Sequence, residues 1–218
     1  MNINKFIDHT LLKAVATPAD IKHLCIEAKE NEFYAVCVNG AYVGLAASML
    51  KDSPVKIAAV VGFPLGAIST AMKVAEAKDC IEQGADEIDM VINLGLLKAG
   101  HFKAVEDEIM AVKEAIGDKV LKVIIETCYL TDEEKRAATK AVLKAGAQFV
   151  KTSTGFGSEG ATPEDVRLMK EVVGDKIKIK ASGGIKDRKT ALEYIELGAS
   201  RLGTSSGVSI VTENKEDQ

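Results

Sequence analysis

A chain of 218 residues, 47% apolar and 28% charged, has the make-up of a folded globular protein and not of a disordered one. Its 28 basic and 32 acidic side chains give a formal charge of -4, which offers no basic footprint for nucleic acid. The longest apolar runs, such as IAAVVGFPLGAI, are broken by Gly and Pro and too short to span a bilayer, so no membrane partner is expected.

The chain opens MNINKFIDHT, where no basic stretch leads into an apolar one, so a secretory leader is not expected. Short β-branched runs then recur at 6–10, 35–38, 56–62, 87–93, 122–127, 149–154, 176–181 and 201–205. Between these eight expected strands lie seven stretches of helical periodicity. Thr17, Thr131 and Thr162 each stand ahead of acids in a first helical turn, and Pro18 and Pro163 follow two of them directly. QGADEI, AGAQFV and LGASRL repeat one idiom: a helix, then Gly84, Gly146 or Gly198 as its turn, then Ala and the next strand.

Strict alternation of strands and helices points to a parallel sheet. Eight strands in one chain point to a closed (β/α)8 TIM barrel, a single near-minimal domain since such barrels typically need ~250 residues. Residues 1–211 form the expected barrel and 212–218, TENKEDQ, a polar tail. An open doubly wound sheet is the rival, but no G-x-G-x-x-G follows the first strand. Cys25, Cys37, Cys80 and Cys128 are scattered without a CxxC pair, which suits reduced thiols in a cytoplasmic protein better than a disulfide frame or a zinc site.

Side chains alternate along a strand. In EIDMVIN, Ile88, Met90 and Ile92 form the face that packs on helices, leaving Glu87, Asp89, Val91 and Asn93 inward. The same alternation places Asp8 with Thr10, Cys37 with Ala35, Lys151 with Ser153, and Lys178 with Lys180 and Ser182. The barrel mouth thus collects Asp8, Cys37, Asp89, Lys151 and Lys180, at the strand ends where this fold keeps its active sites. Lysine is almost never fully buried unless paired. Two lysines in one desolvated pocket depress a pKa, and a neutral amine attacks a carbonyl to give a Schiff base. A nearby carboxylate can then move protons. The glycines of SGGI (182–185) and GTSSG (203–207), with TSTG after Lys151, suit loops that grip a phosphate, with a short helix starting near Ser206.

FIDHTLL, EIDMVIN, FVKTSTGFG, IKIKASGGIK and RLGTSSG, in this order and spanning the chain to about residue 210, resemble the deoxyribose-phosphate aldolase family of class I aldolases. The resemblance implies reversible cleavage of 2-deoxy-D-ribose 5-phosphate to D-glyceraldehyde 3-phosphate and acetaldehyde. It implies that Lys151 carries the Schiff base, Lys180 tunes it and relays protons, and Asp89 is the general acid and base, acting through water. Asp8 and Thr10 would support Lys180. Gly155, Gly183, Gly184, Gly203, Ser205 and Ser206 would hold the phosphate. No metal and no cofactor are implied, because the iminium draws the electrons itself; the partners implied are the phosphosugar and further copies of the chain, most commonly as a homodimer. Two departures stand out: Phe156 occupies a place where some members carry Lys, leaving Lys186 and Arg188 as helpers, and the chain ends KEDQ where some members end in Tyr.

Each residue also has a plainer reading. Lys151 alone suits a lysine snorkelling from a strand end. Asp89 alone suits an ion-pair partner, Cys37 a small buried side chain, and Gly183-Gly184 an ordinary turn. Lys178 lies earlier in its strand and reads as a bottom-of-barrel or solvated lysine. His9 and His101 read as structural or surface groups, and Glu126 has no assignment. A phosphosugar isomerase on the same barrel would want a Glu or His base and no paired lysines. A binding protein without chemistry, or a purely structural barrel, would leave the lysine pair unexplained.

Overall fold

The computed structural model describes residues 2–213. Eight parallel strands close in chain order, β1 (Ile7–Leu11), β2 (Ala35–Asn39), β3 (Lys56–Val61), β4 (Glu87–Val91), β5 (Val120–Ile124), β6 (Phe149–Lys151), β7 (Lys178–Ser182) and β8 (Ala199–Thr204), with β8 pairing back onto β1. Around them run α1 (Pro18–Glu30), α2 (Val43–Leu50), α3 (Thr70–Glu82), α4 (Leu94–Lys98), α5 (Phe102–Ile116), α6 (Asp132–Lys144), α7 (Pro163–Val173), α8 (Arg188–Glu196) and α9 (Gly207–Thr212). The expected TIM barrel is therefore the fold, and the open sheet is excluded by the β1–β8 pairing.

Local chemistry explains most boundaries. Thr17 and Thr131 form full capping boxes with Asp20 and Glu134, and Thr162 accepts from the Asp165 amide. Gly84, Gly146 and Gly198 all take positive φ (111°, 77° and 105°), the turn that ends a helix and launches the next strand. Most strand ends shift by one or two residues from expectation, and two fall further short. β5 stops at Ile124, because Glu126 sits at φ 50° in the left-handed region and bends the chain away. β6 stops at Lys151: Thr152 still bonds the backbones of Lys180 and Thr127, but Ser153 and Thr154 leave the ladder. The short α4, not singled out in the sequence, is capped by the Asn93 side chain on the Leu96 amide. The short helix expected after Ser206 is α9; it runs through Thr212, so the expected tail begins within it and from residue 214 lies outside the described residues.

The outer strand faces carry Val36, Val38, Ile88, Met90, Val123, Val150 and Ile179 into one core shared with the helices. The inner space divides into two halves. On the β2–β3 side Cys37, Ala58 and Val60 pack with Leu12 and Phe63 as a small apolar cluster. On the other side the inward positions are ionic. Pairing sets Asp89 level with Lys122, Lys151 level with Lys180, and Lys180 level with Arg201. An irregularity between Ile179 and Lys180 shifts the β7–β8 register at that point.

A second buried ion pair braces the β4 side of the mouth. Lys73 on α3 is fully buried and donates to the Val91 carbonyl and to Glu108 Oε1, both at 2.8 Å. Glu108 Oε2 accepts from the Asn93 amide at 2.9 Å. Three elements thus meet on two charges. Removing one partner of such a pair strands the other in low dielectric. Lys73→Met is expected to destabilise the fold by about 3–5 kcal/mol, and Lys73→Met with Glu108→Leu by much less; urea denaturation midpoints of the three proteins check this.

Candidate active site

The ionic half of the barrel is one continuous cluster. Asp89 on β4 accepts from Lys122 at Oδ1 and from both Lys151 and Lys180 at Oδ2, each at 2.8 Å. Asp8 on β1 accepts from Lys180 at Oδ2 and from Arg201 at Oδ1, the latter at 2.7 Å. Glu87 on β4 pairs with Lys122 at 2.5 Å and with Arg201 at 3.1 Å. All seven side chains are buried. Lys151 and Lys180 lie on adjacent strands at one level, and both reach the same carboxylate oxygen. Gly203 on β8 makes room for Lys180: a Cβ there would lie 3.1 Å from Lys180 Cε and 2.9 Å from Ser182 Cβ.

The four cations do not respond alike. Burial disfavours every charge here, but it is opposed unequally. For Lys151, burial outweighs its one carboxylate partner, Lys180 adds repulsion, and the pKa falls below the ordinary lysine value. For Lys180, burial is overcome by Asp8 and Asp89, and the pKa rises. Lys122 also rises, held against burial by Asp89, Asp8 and Glu87. Asp89 itself stays well below the carboxylate range: burial resists, but Lys122, Lys151 and Lys180 outweigh it. The cluster therefore holds one amine that gives up its proton more easily than an ordinary lysine, beside a firmly ionised carboxylate.

Lys151 opens onto a cavity of about 290 Å³ at the C-terminal mouth. Gly155, Gly183, Gly184, Gly203, Ser205 and Ser206, singled out in the sequence, all line it, and so do Thr10, Lys13 and Lys186. The run Thr152-Ser153-Thr154 explains itself here. The Thr152 hydroxyl donates to the Ser182 carbonyl (3.2 Å) and accepts the Ser182 amide (3.1 Å), while Ser182 Oγ donates to the Ser153 carbonyl (2.5 Å). The hydroxyls lace the segment after β6 to the end of β7. Glu126 completes the lacing. Its buried carboxylate accepts from the Thr154 amide at 3.0 Å and from the Thr154 hydroxyl. Phe156 stacks edge-on against Phe63 at 5.3 Å between ring centroids and forms part of the cavity wall.

Some expected groups stand elsewhere. Thr10 does not reach Lys180; its hydroxyl donates to the Asp8 carbonyl at 2.8 Å. Cys37 lies in the apolar half of the interior, and burial raises its thiol pKa. Arg188 turns away from the cavity, because its guanidinium donates to the Ile210 carbonyl and its amide to Glu213. Lys178 is exposed at the opposite end of β7, 5.7 Å from the Phe149 ring centroid. His9 pairs with Glu27 at 2.8 Å behind β1. Lys122 and Arg201, as parts of the cluster, were not foreseen. Their signal is a basic residue at an inward position within a strand, LKVI in β5 and SRLG in β8. Among the described residues no three His, Cys, Asp or Glu side chains group as metal ligands, and no helix is long and apolar enough to cross a membrane.

A family model described as DeoC/LacD family aldolase matches residues 3–211. The chain belongs to the DeoC/LacD aldolase family. A deoxyribose-phosphate aldolase of Carboxydothermus hydrogenoformans is 60% identical over 213 residues, 96% of this chain and 93% of that one. Another, from Deinococcus radiodurans, is 56% identical over 212 residues, 97% of this chain and 96% of that one. Among solved structures, an aldolase called QR15 superposes with a TM-score of 0.94 at 43% identity, covering 98% of this chain and 96% of that one. A tetrameric deoxyribose phosphate aldolase from Aeropyrum pernix gives 0.90 at 31% identity, covering 99% and 92%.

For this DeoC/LacD aldolase the lowered Lys151 pKa has a consequence for stability. The unfolded chain holds that proton to a higher pH than the folded one, so the folded state is penalised below its own lysine pKa and relieved as pH rises towards 10.5. Lys151→Met is therefore expected to be more stable than the parent near neutral pH, by about 1 kcal/mol. The gain should shrink as pH rises through that window. Thermal melts of both proteins from pH 6 to pH 10 check the sign.

Proposed function

We propose that this chain is a class I aldolase that reversibly cleaves 2-deoxy-D-ribose 5-phosphate to D-glyceraldehyde 3-phosphate and acetaldehyde, with Lys151 as the Schiff-base lysine. One observation carries the reading: of the four cations in the central cluster, Lys151 is the one whose pKa falls below its ordinary value, and it is the one that lines the cavity. The names carried by relatives at 56–60% identity supply the substrate class.

The chemistry follows from the positions. The neutral Lys151 amine adds to the C1 aldehyde of the open-chain sugar, and loss of water leaves an iminium. A base takes the C3 hydroxyl proton, the C2–C3 bond breaks, and its electron pair flows into the iminium to give an enamine. D-glyceraldehyde 3-phosphate leaves. Protonation of the enamine carbon and addition of water to the resulting iminium release acetaldehyde and restore the amine. Asp89, 2.8 Å from Lys151 Nζ, is placed to move protons on and off that nitrogen through water. Lys180 stays charged between Asp8 and Asp89, so its ammonium lies beside every cationic intermediate and favours the neutral amine at the start. The glycine and serine loops supply backbone donors for the phosphate, with Lys186 and Lys13 as nearby charges. Phe156 gives that end an aromatic wall where a cation would bind phosphate more directly.

A homodimer and a cytoplasmic place belong to the same reading. The four cysteines are unpaired, as a reducing compartment keeps them. Size-exclusion chromatography with light scattering tests the dimer.

The first experiment is borohydride reduction with 2-deoxyribose 5-phosphate or acetaldehyde, followed by peptide mass mapping. A reduced adduct on Lys151, lost in Lys151→Ala, is the expected result; ligand binding without an adduct on any lysine would sink the mechanism. Glu126→Gln should raise KM for the phosphosugar about tenfold while changing kcat much less, because an amide cannot accept both Thr154 protons and the loop loosens. Steady-state kinetics with 2-deoxyribose 5-phosphate would show this, and an equal loss in both constants would contradict it.

A further inference from the structure

Arg201 pairs with Lys180 across β7 and β8, and its side chain turns towards the N-terminal ends of the strands, where Tyr34 precedes β2 and Phe149 opens β6. Its guanidinium donates to Asp8 Oδ1 at 2.7 Å and to Glu87 Oε2 and Oε1 at 3.1 and 3.4 Å. Its flat face lies 3.4 Å from the Tyr34 ring centroid and 5.4 Å from that of Phe149. It does not line the cavity. Arginine keeps its charge at any pH the protein survives.

The cluster then has a simple count. Lys122, Lys151, Lys180 and Arg201 face Asp8, Glu87 and Asp89: four cations against three carboxylates. One positive charge is in surplus in a buried space, where uncompensated charge is costly. Arg201 cannot shed it. Among the lysines, Lys122 lies within 3.8 Å of oxygens on Asp8, Glu87 and Asp89. Lys180 is held by oxygens on Asp8 and Asp89. Lys151 has one oxygen of Asp89, which it shares with Lys180. The proton released most easily is therefore the one on Lys151. The other titratable group near Lys151 is Cys37 on β2: its thiolate would hold the Lys151 proton, but burial raises the thiol pKa and disfavours that form.

We propose that Arg201 is a positioning residue of the reaction: by making the buried cluster one cation richer than its carboxylates, it leaves Lys151 as the neutral amine. Glu87 is the counterweight that keeps the surplus at one. This rests on the aldolase reading given above. Arg201 never meets the substrate; it acts through Asp8, Lys180 and Asp89.

The test is the pH dependence of kcat/KM for 2-deoxyribose 5-phosphate cleavage, read at its acid limb, where Lys151 loses its proton. Arg201→Met leaves three cations against three carboxylates, and the limb should move up by about one pH unit or more. Arg201→Met with Glu87→Gln restores the surplus, and the limb should return towards the parent position. Glu87→Gln alone raises the surplus to two and should move the limb down. Arg201→Lys keeps the charge and should leave the limb near the parent even where kcat falls. A merely structural role would lower activity in all four without this ordering. If Arg201→Met does not fold, as judged by circular dichroism, Glu87→Gln alone decides: a limb that does not move down overturns the proposal. An unmoved limb in a folded Arg201→Met does the same. Borohydride trapping on the unsubstituted enzyme separates the two ideas: an adduct on Lys151 with unmoved limbs removes only the role of Arg201, whereas no adduct in the parent removes the aldolase reading and this one with it.

Discussion

Asp89 accepts three ammonium groups on two oxygens in a space closed to bulk water. Protonating that carboxylate would leave Lys151 without a carboxylate partner and would leave Lys122 to Glu87 and Lys180 to Asp8. The lysines in turn cannot be buried without it. The barrel itself arranges this meeting. Four consecutive strands, β4 to β7, bring Asp89, Lys122, Lys151 and Lys180 to neighbouring levels, and closure onto β1 adds Asp8. No local stretch of chain could gather these groups, since they lie 29 to 172 residues apart in sequence. Buried charge of this kind contributes little to stability, and its place in the protein is chemical.

The strands, the helix caps and the glycine turns were legible because each depends on a few adjacent residues. Thr17 with Asp20, or Gly84 before Ala85, acts within one turn of chain. The inward positions of Asp89, Lys151 and Lys180 were legible for the same reason, as strand alternation is local. Lys122 and Arg201 were harder. Whether a lysine between Leu121 and Val123 turns to the centre or lies at a rim depends on the stagger of strands around the closed barrel, which is a property of pairings with distant segments. The same holds for Glu126, whose partner Thr154 is 28 residues away. Thr10 and Arg188 show the converse: their types fit the expected roles, but a nearby carbonyl, of Asp8 or Ile210, engages them first.

Two ion pairs of different character serve the molecule. Lys73 and Glu108 match one to one and also bind backbone groups of β4 and the turn after it. Their charges cancel, and they fix where β4 ends. The central cluster does not cancel, and its imbalance falls on its least well-held member. Rigidity at the rim and unease at the centre complement each other. A lysine whose proton is unstable is useful only if the strands around it stay in register.

The unequal halves of the barrel interior carry one more consequence. Cys37, Ala58, Val60 and Phe63 pack behind Leu12, which lines the cavity on the far side, while glycines, serines and Lys186 line it on the β6–β8 side. Polarity thus rises across the mouth within the width of a small molecule. A guest with an anionic end and an apolar end has one comfortable way to lie, and turning it end for end would place charge against hydrocarbon. The barrel gives its occupant a direction before any bond is made.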